Sequence, residues 1–134
     1  EKHFDFYEPF TVHESSLSPC VHSILACKID RMEKAYEMYL RTSRLDLDDY
    51  NNEVHEGLHI TSMAGTWLSI VQGFGGMRNF DDTLSFAPQI PKEWKSYSFK
   101  INYRGTTLKI YKDQSGCKFT NESVEPINIV VHGK

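Results

Sequence analysis

Ser96-Tyr97-Ser98-Phe99-Lys100-Ile101-Asn102-Tyr103 alternates between polar and large apolar residues. A period of two sustained over this length marks a strand with one buried face, here Tyr97, Phe99, Ile101 and Tyr103. Working outward, Gly105 turns the chain into Thr106–Tyr111, a hairpin partner. Asp113–Gly116 is a further turn before Cys117–Thr120, and Ile127–Val131 reads as a last strand. Strands of this kind stack into an antiparallel sandwich, although four or five of them rarely close one.

Upstream of about Arg78 the period is helical. Ser18-Pro19 opens a first helix, Ser as N-cap and Pro at the first helical position, with Val21, Ile24, Leu25 and Ile29 recurring at helical spacing. Cys20, Ile24 and Cys27 share a neighbouring strip, which predicts buried thiols; a seven-residue separation is roughly 10 Å of helix rise, too far for a disulfide. Asp30 with Glu33 reads as a capping-box variant opening a second helix, with Met32, Ala35, Tyr36, Tyr39 and Leu40 on its apolar side. An acidic loop, Asp46 to Gly57, precedes a third helix over about Ser62–Gln72, in which Trp67 reads as core; Gly73, Gly75 and Gly76 close it. The resulting expectation is a segregated α+β chain, helical over 1–80 and β over 81–134. Three helices and five short strands each look like the edge of a larger unit. With the opening Glu1-Lys2-His3-Phe4, they suggest a segment spanning a domain boundary of a longer protein.

Composition narrows the function classes. The chain has 134 residues, a net charge of −3 and a hydrophobic fraction of 40%. That fraction is ordinary for a folded domain and excludes a disordered tail. No apolar run approaches the roughly 18 residues of a membrane helix, and the absence of a basic surplus argues against nucleic acid. Three cysteines without metal-type spacing point to a reducing compartment and buried thiols.

Several residue patterns carry chemistry. His55-Glu56-Gly57-Leu58-His59 fits H-E-x-x-H, the zinc-protease pattern, which needs both His on one helical face. Gly57 within it and the loop-like residues before it argue for a coincidental match. Asp46, Asp48, Asp49, Glu53 and Glu56 would supply a carboxylate pair for glycoside chemistry, or form a solvated loop. A calcium loop fits poorly, with Tyr50 and Asn51 in the wrong places. His13 beside Glu14 is a weak acid/base signal, and Trp94 would either stack on a sugar or pack. A stronger pattern is a pair of helix starts rich in small residues. With Ser62 as N-cap, Ala64 and Gly65 fall in the first turn, where amides are free and the dipole is positive. Thr66 and His59 add side-chain donors, and Ser15-Ser16 lies just before the other helix start. If the two starts converge, the pocket suits phosphate or sulfate; the alternative for each is simple capping.

The blocks HESSLSPCVHS, YLRTSRLDLDDYNN and EGLHITSMAGTWLSIVQGFGGMR, covering residues 13 to 78 almost continuously, resemble the disaccharide phosphorylases of glycoside hydrolase family 65. The region from LSFAPQIP onward is similar to that family's C-terminal domain. The resemblance implies the last helices of an (α/α)6 barrel followed by most of a β-sandwich-type domain, in which Val131-His132-Gly133-Lys134 would be followed by more strand. It implies inverting phosphorolysis of an α-glucoside such as maltose, giving β-glucose 1-phosphate and glucose, by a cytoplasmic homodimer. No cofactor is implied, inorganic phosphate being a co-substrate. The general-acid Glu and the sugar-contacting Lys-Gln pair belong upstream, and no residue here matches their motifs. Ser15, Ser16, His59, Ala64, Gly65 and Thr66 would hold the phosphate, and the family needs no metal. A trehalase-like hydrolase of the same family, and a non-catalytic carbohydrate-binding module, are the competing readings.

Overall fold

The structure, a computed structural model, describes residues 1–132; Gly133 and Lys134, at the end of the expected β region, lie outside the described residues. The chain divides into two compact units, Glu1–Gly73 and Phe74–Lys134. The change of periodicity placed this division near residue 80. A π-helical stretch, Ser69–Phe74, follows the last α-helix.

The first unit holds α1 (Lys2–Tyr7), α2 (Ser18–Lys28), α3 (Met32–Ser43) and α4 (Ile60–Leu68). Helix α2 starts where Ser18-Pro19 predicts, but Leu17 is its N-cap and no side chain caps it. The Ser18 hydroxyl instead meets His13 Nδ1 at 2.9 Å. The buried face of α2 consists of Pro19, Cys20, Ser23, Ala26 and Cys27. Val21 and Leu25, expected inside, are 49% and 43% exposed. Small side chains face the neighbouring helices, and Ser23 donates a hydrogen bond to the Ala35 carbonyl of α3 at 2.9 Å.

Asp30 does not cap α3. Its φ is 65°, and it ends α2 in a Schellman arrangement: the Asp30 amide bonds Cys27 O at 3.2 Å and the Arg31 amide bonds Ala26 O at 2.9 Å. The capping-box reading failed because Asp, a good N-cap, is also one of the few non-glycine residues that tolerate the left-handed C′ position. Arg31 is the N-cap of α3. Tyr36 and Tyr39 are half-buried and stack at 6.2 Å.

Helix α4 begins at Ile60 rather than after Ser62, with His59 as N-cap. Gly65 is buried where α4 meets its neighbours; a Cβ there would lie 2.9 Å from Cys20 Cβ and 3.3 Å from Thr42 Cγ2. Trp67, expected in the core, is 48% exposed.

The second unit is built from two three-stranded sheets. One joins β1 (Arg78–Phe80), β2 (Thr83–Phe86) and β6 (Val130–Val131); the other is the antiparallel meander β3 (Ser96–Tyr103), β4 (Thr106–Asp113) and β5 (Cys117–Asn121). The β3–β4 register pairs Tyr103 with Thr106, so the hairpin turns on Arg104-Gly105 alone, with φ of 52° and 80°. Two successive positive φ values make the primed turn that matches strand twist. Asp81-Asp82 turns β1 into β2 in the same way, with φ of 47° and 60°. At the next turn, Asp113 Oδ1 accepts bonds from the Ser115 and Gly116 amides at 2.8 and 2.9 Å.

One pairing departs from the antiparallel expectation: β2 and β6 run parallel, Ser85 opposite Val130 and Phe86 opposite Val131. The expected strand 127–131 shortens to two residues, while Ile127 and Ile129 turn inward onto the core. That core, Leu84, Phe86, Leu108 and Ile110, joins the two sheets, and Phe86 and Phe119 meet across it at 5.2 Å. The sandwich expectation therefore holds in its packing. Cys20 and Cys27 are buried and outside any disulfide, as predicted, but Cys117 is exposed: it shares the core-facing side of β5 with Phe119, yet stands at the strand's end, opposite Lys112 and past buried Ile110. Trp94 packs against Phe74 and Tyr97 at 4.9 and 5.9 Å.

Candidate functional site

The two small-residue helix starts of the first unit come together. Ser16 Oγ and Thr61 Oγ1 are 2.8 Å apart, linking the loop before α2 to the first turn of α4 across 45 residues of chain. Ser15 is exposed, and its Oγ accepts the Leu17 amide at 3.3 Å. Two further bonds fasten the serine loop from below. Arg41 of α3 donates to the His13 carbonyl at 2.7 Å, and Asn51 Nδ2 donates to the Glu14 carbonyl at 3.0 Å. Arg41 did not stand out in the sequence, and Asn51 did so only as a misfit in a calcium loop; each acts through a carbonyl, a partner that no side-chain motif reports.

His59 sits between two carboxylates. Its Nδ1 meets Asp46 Oδ1 at 2.5 Å and its Nε2 lies 3.4 Å from Glu53 Oε2. Asp46 Oδ2 also accepts the His59 main-chain N–H at 2.9 Å. The bond to Asp46 foremost, with the charges of Asp46 and Glu53, holds the imidazole above its usual range; the same bond holds the Asp46 carboxyl below its own. The signs set a window. The His59 contribution to stability is full below its unfolded pKa and is lost as pH rises through the raised one. The Asp46 contribution is present above its unfolded pKa and is lost as pH falls through the depressed one. Both shifts favour the pair as imidazolium and carboxylate.

The start of α4 changes what the other predicted residues do. Ala64 and Gly65 lie one turn inside the helix, where an amide bonds the carbonyl four residues back. They are not first-turn donors, because the helix begins before Ser62. The first-turn amides are those of Ile60, Thr61 and Ser62; Ile60 returns to Leu58 O at 3.1 Å, and Ser62 and Met63 share the His59 carbonyl at 2.9 and 3.2 Å. Ala64 is exposed. Gly65 is explained by packing against Cys20 rather than by ligand approach. Thr66 donates its hydroxyl to Ser62 O at 2.9 Å, and Ser62 donates its own to Thr42 O at 2.6 Å. Thr61, not singled out in the sequence, is the α4 residue that reaches the serine loop.

The remaining acidic residues have local partners. Arg44 grips Asp48 through two bonds of 2.6 and 2.7 Å, and Asp49 Oδ1 accepts the Glu53 and Val54 amides at 3.0 and 3.1 Å. The H-E-x-x-H residues do not share a helix. His55 and Glu56 end a short 3₁₀ turn, Gly57 follows with φ of 124°, a value suited to glycine alone, and His59 caps the next helix. Among the described residues, no three His, Cys, Asp or Glu side chains are grouped to hold a metal ion. His13, beside exposed Glu14, has its pKa lowered by burial, with His22 and Arg41 adding to the effect. No described helix is long and apolar enough to cross a membrane.

Two adjoining family models match the chain: the glycosyl hydrolase family 65 central catalytic domain over residues 1–68 and the family 65 C-terminal domain over residues 77–134. The chain belongs to glycosyl hydrolase family 65. Among curated relatives, this family 65 chain is 55% identical to a maltose phosphorylase of Bacillus subtilis (strain 168), over 98% of its length and 17% of the relative. It is 46% identical to an α,α-trehalose phosphorylase of Thermoanaerobacter brockii, over 100% of its length and 17% of the relative. The structure superposes on that of a putative kojibiose phosphorylase from the human microbiome with a TM-score of 0.91, at 43% identity, covering 98% of this chain and 19% of the other. The chain thus spans about one sixth of the length of the curated relatives it matches.

Proposed function

We propose that this chain is the phosphate-binding portion of an inverting disaccharide phosphorylase, comprising the last helices of an (α/α)6 barrel and its C-terminal β domain. The observation that carries the reading is the Ser16–Thr61 contact, which joins the serine loop to the helix start that His59 caps. Relatives named as maltose and trehalose phosphorylases support it. Ser15 and Ser16 offer hydroxyl donors and His59 an imidazolium, a charge-assisted donor about twice as strong as a neutral one. The Thr61 amide, at the positive end of α4, is a further first-turn donor. Ala64, Gly65 and Thr66, named from their position in the sequence, have no such part in this reading.

In the reaction a general acid, supplied outside these residues, protonates the glycosidic oxygen while phosphate attacks the opposite face of C1. The residues here would fix the phosphate, exclude water from its place and favour its charge. The substrate would be an α-linked glucose disaccharide, maltose first, with β-glucose 1-phosphate as product. The test is an assay of the intact protein with maltose, trehalose and kojibiose, with and without phosphate, in wild type and His59→Ala. Phosphate-dependent release of glucose 1-phosphate should fall roughly 10- to 100-fold in the variant, the weight of one charged hydrogen bond. Sugar release that ignores phosphate in the wild type would point to a hydrolase and end the proposal.

A further inference from the structure

Among the described residues, Asp46 is an acidic side chain whose two oxygens both serve a single residue of the candidate site. Oδ1 holds the His59 imidazole Nδ1 at 2.5 Å and Oδ2 holds the His59 main-chain N–H at 2.9 Å. A bidentate grip of this kind fixes the ring plane and the helix cap together. It also assigns the protons: Nδ1–H is spent on Asp46, so Nε2 is the nitrogen left to an incoming group. The two carboxylates around the ring are not equivalent. The Asp46 side chain is 14% exposed and its contact is short; that of Glu53 is 46% exposed and 3.4 Å away. The first contact is built into the fold next to buried Leu45, and the second is loose enough for an anion to displace.

We propose that Asp46 is the positioning residue of His59, orienting the imidazolium so that Nε2–H is presented to the phosphate. The inference rests on the phosphate reading above and extends it to a residue that touches neither phosphate nor sugar. The charged groups facing the ring are Asp46 and Glu53. Removing the Asp46 charge lets the imidazole lose its proton at lower pH, so phosphate binding weakens from the alkaline side first.

The experiment compares wild type, Asp46→Asn, His59→Ala and the double variant in the intact protein. In Asp46→Asn the KM for phosphate should rise roughly 10-fold with a smaller change in the KM for disaccharide, and the alkaline limb of phosphate dependence should move to lower pH. In the His59→Ala background the same substitution should add little, because the residue it positions is gone. A second readout needs no variant to fold. With ¹⁵N-labelled histidine in the wild-type protein, the His59 imidazole should keep both protons above the ordinary value of about 6.5. If His59→Ala leaves the phosphate KM unchanged, the phosphate reading itself fails. If His59→Ala raises that KM while Asp46→Asn leaves it and the pH limb unmoved, or if wild-type His59 titrates at or below the ordinary value, the positioning role alone is overturned.

Discussion

Leu108 and Ile110 of β4 are 2% and 0% exposed, whereas Val21 and Leu25 of α2 are 49% and 43% exposed. All four are aliphatic residues in regular elements, and the difference lies in how each element meets its neighbours. In a sheet, pairing fixes the pleat, so alternate residues must share a face, and that face meets the opposing sheet at about 10 Å. A helix offers a full circumference, and the side that packs is the side that can come close. On α2 that side carries Cys20, Ser23, Ala26 and Cys27, with glycine opposite in α4. Apolar size selects the core of the β unit, and small size selects the buried face of α2.

The contrast can be strained from either side. The largest effect belongs to the sandwich. Phe86→Ala removes a fully buried ring that reaches across to Phe119, and the β unit should lose about 3–5 kcal/mol in denaturant unfolding. A loss below 1 kcal/mol would mean that the two sheets do not share one core. Gly65→Ala probes the helical side, since the added methyl meets Cys20 Cβ at 2.9 Å. It should cost about 1–3 kcal/mol by overpacking, although alanine ordinarily favours a helix. A neutral or stabilising result would show that the helices separate freely and that close approach is not what Gly65 provides. The smallest effect is at Asp30, exposed and left-handed at the end of α2, where glycine should raise stability by about 0.5 kcal/mol. A drop in melting temperature there would mean that the carboxylate makes a contact worth more than the strain.

The same contrast decides what could be read in advance. The strand at 96–103 was legible residue by residue, because alternation is a local property and β3 pairs with its immediate neighbour. The parallel pairing of β6 with β2 was not, since it depends on where the chain returns after some forty residues. On the helical side the existence of α2 was legible, its buried face was not, and the starts of α3 and α4 were displaced because Asp30 and Ser62 act otherwise than as caps. In the site, Ser16 and His59 were visible as donors near helix starts. Asp46 was visible only as one acid among several, because its partner lies 13 residues away across a loop with no period.

The hydrogen bond between Ser16 and Thr61 has a consequence for what the two hydroxyls can still donate. Each hydroxyl carries one proton, so the hydroxyl that accepts in this pair keeps its own proton to donate elsewhere. The loop keeps its shape because it holds a partner of its own. On the phosphate reading proposed above, an anion would accept a bond from that spare proton and leave the bond between the two hydroxyls in place.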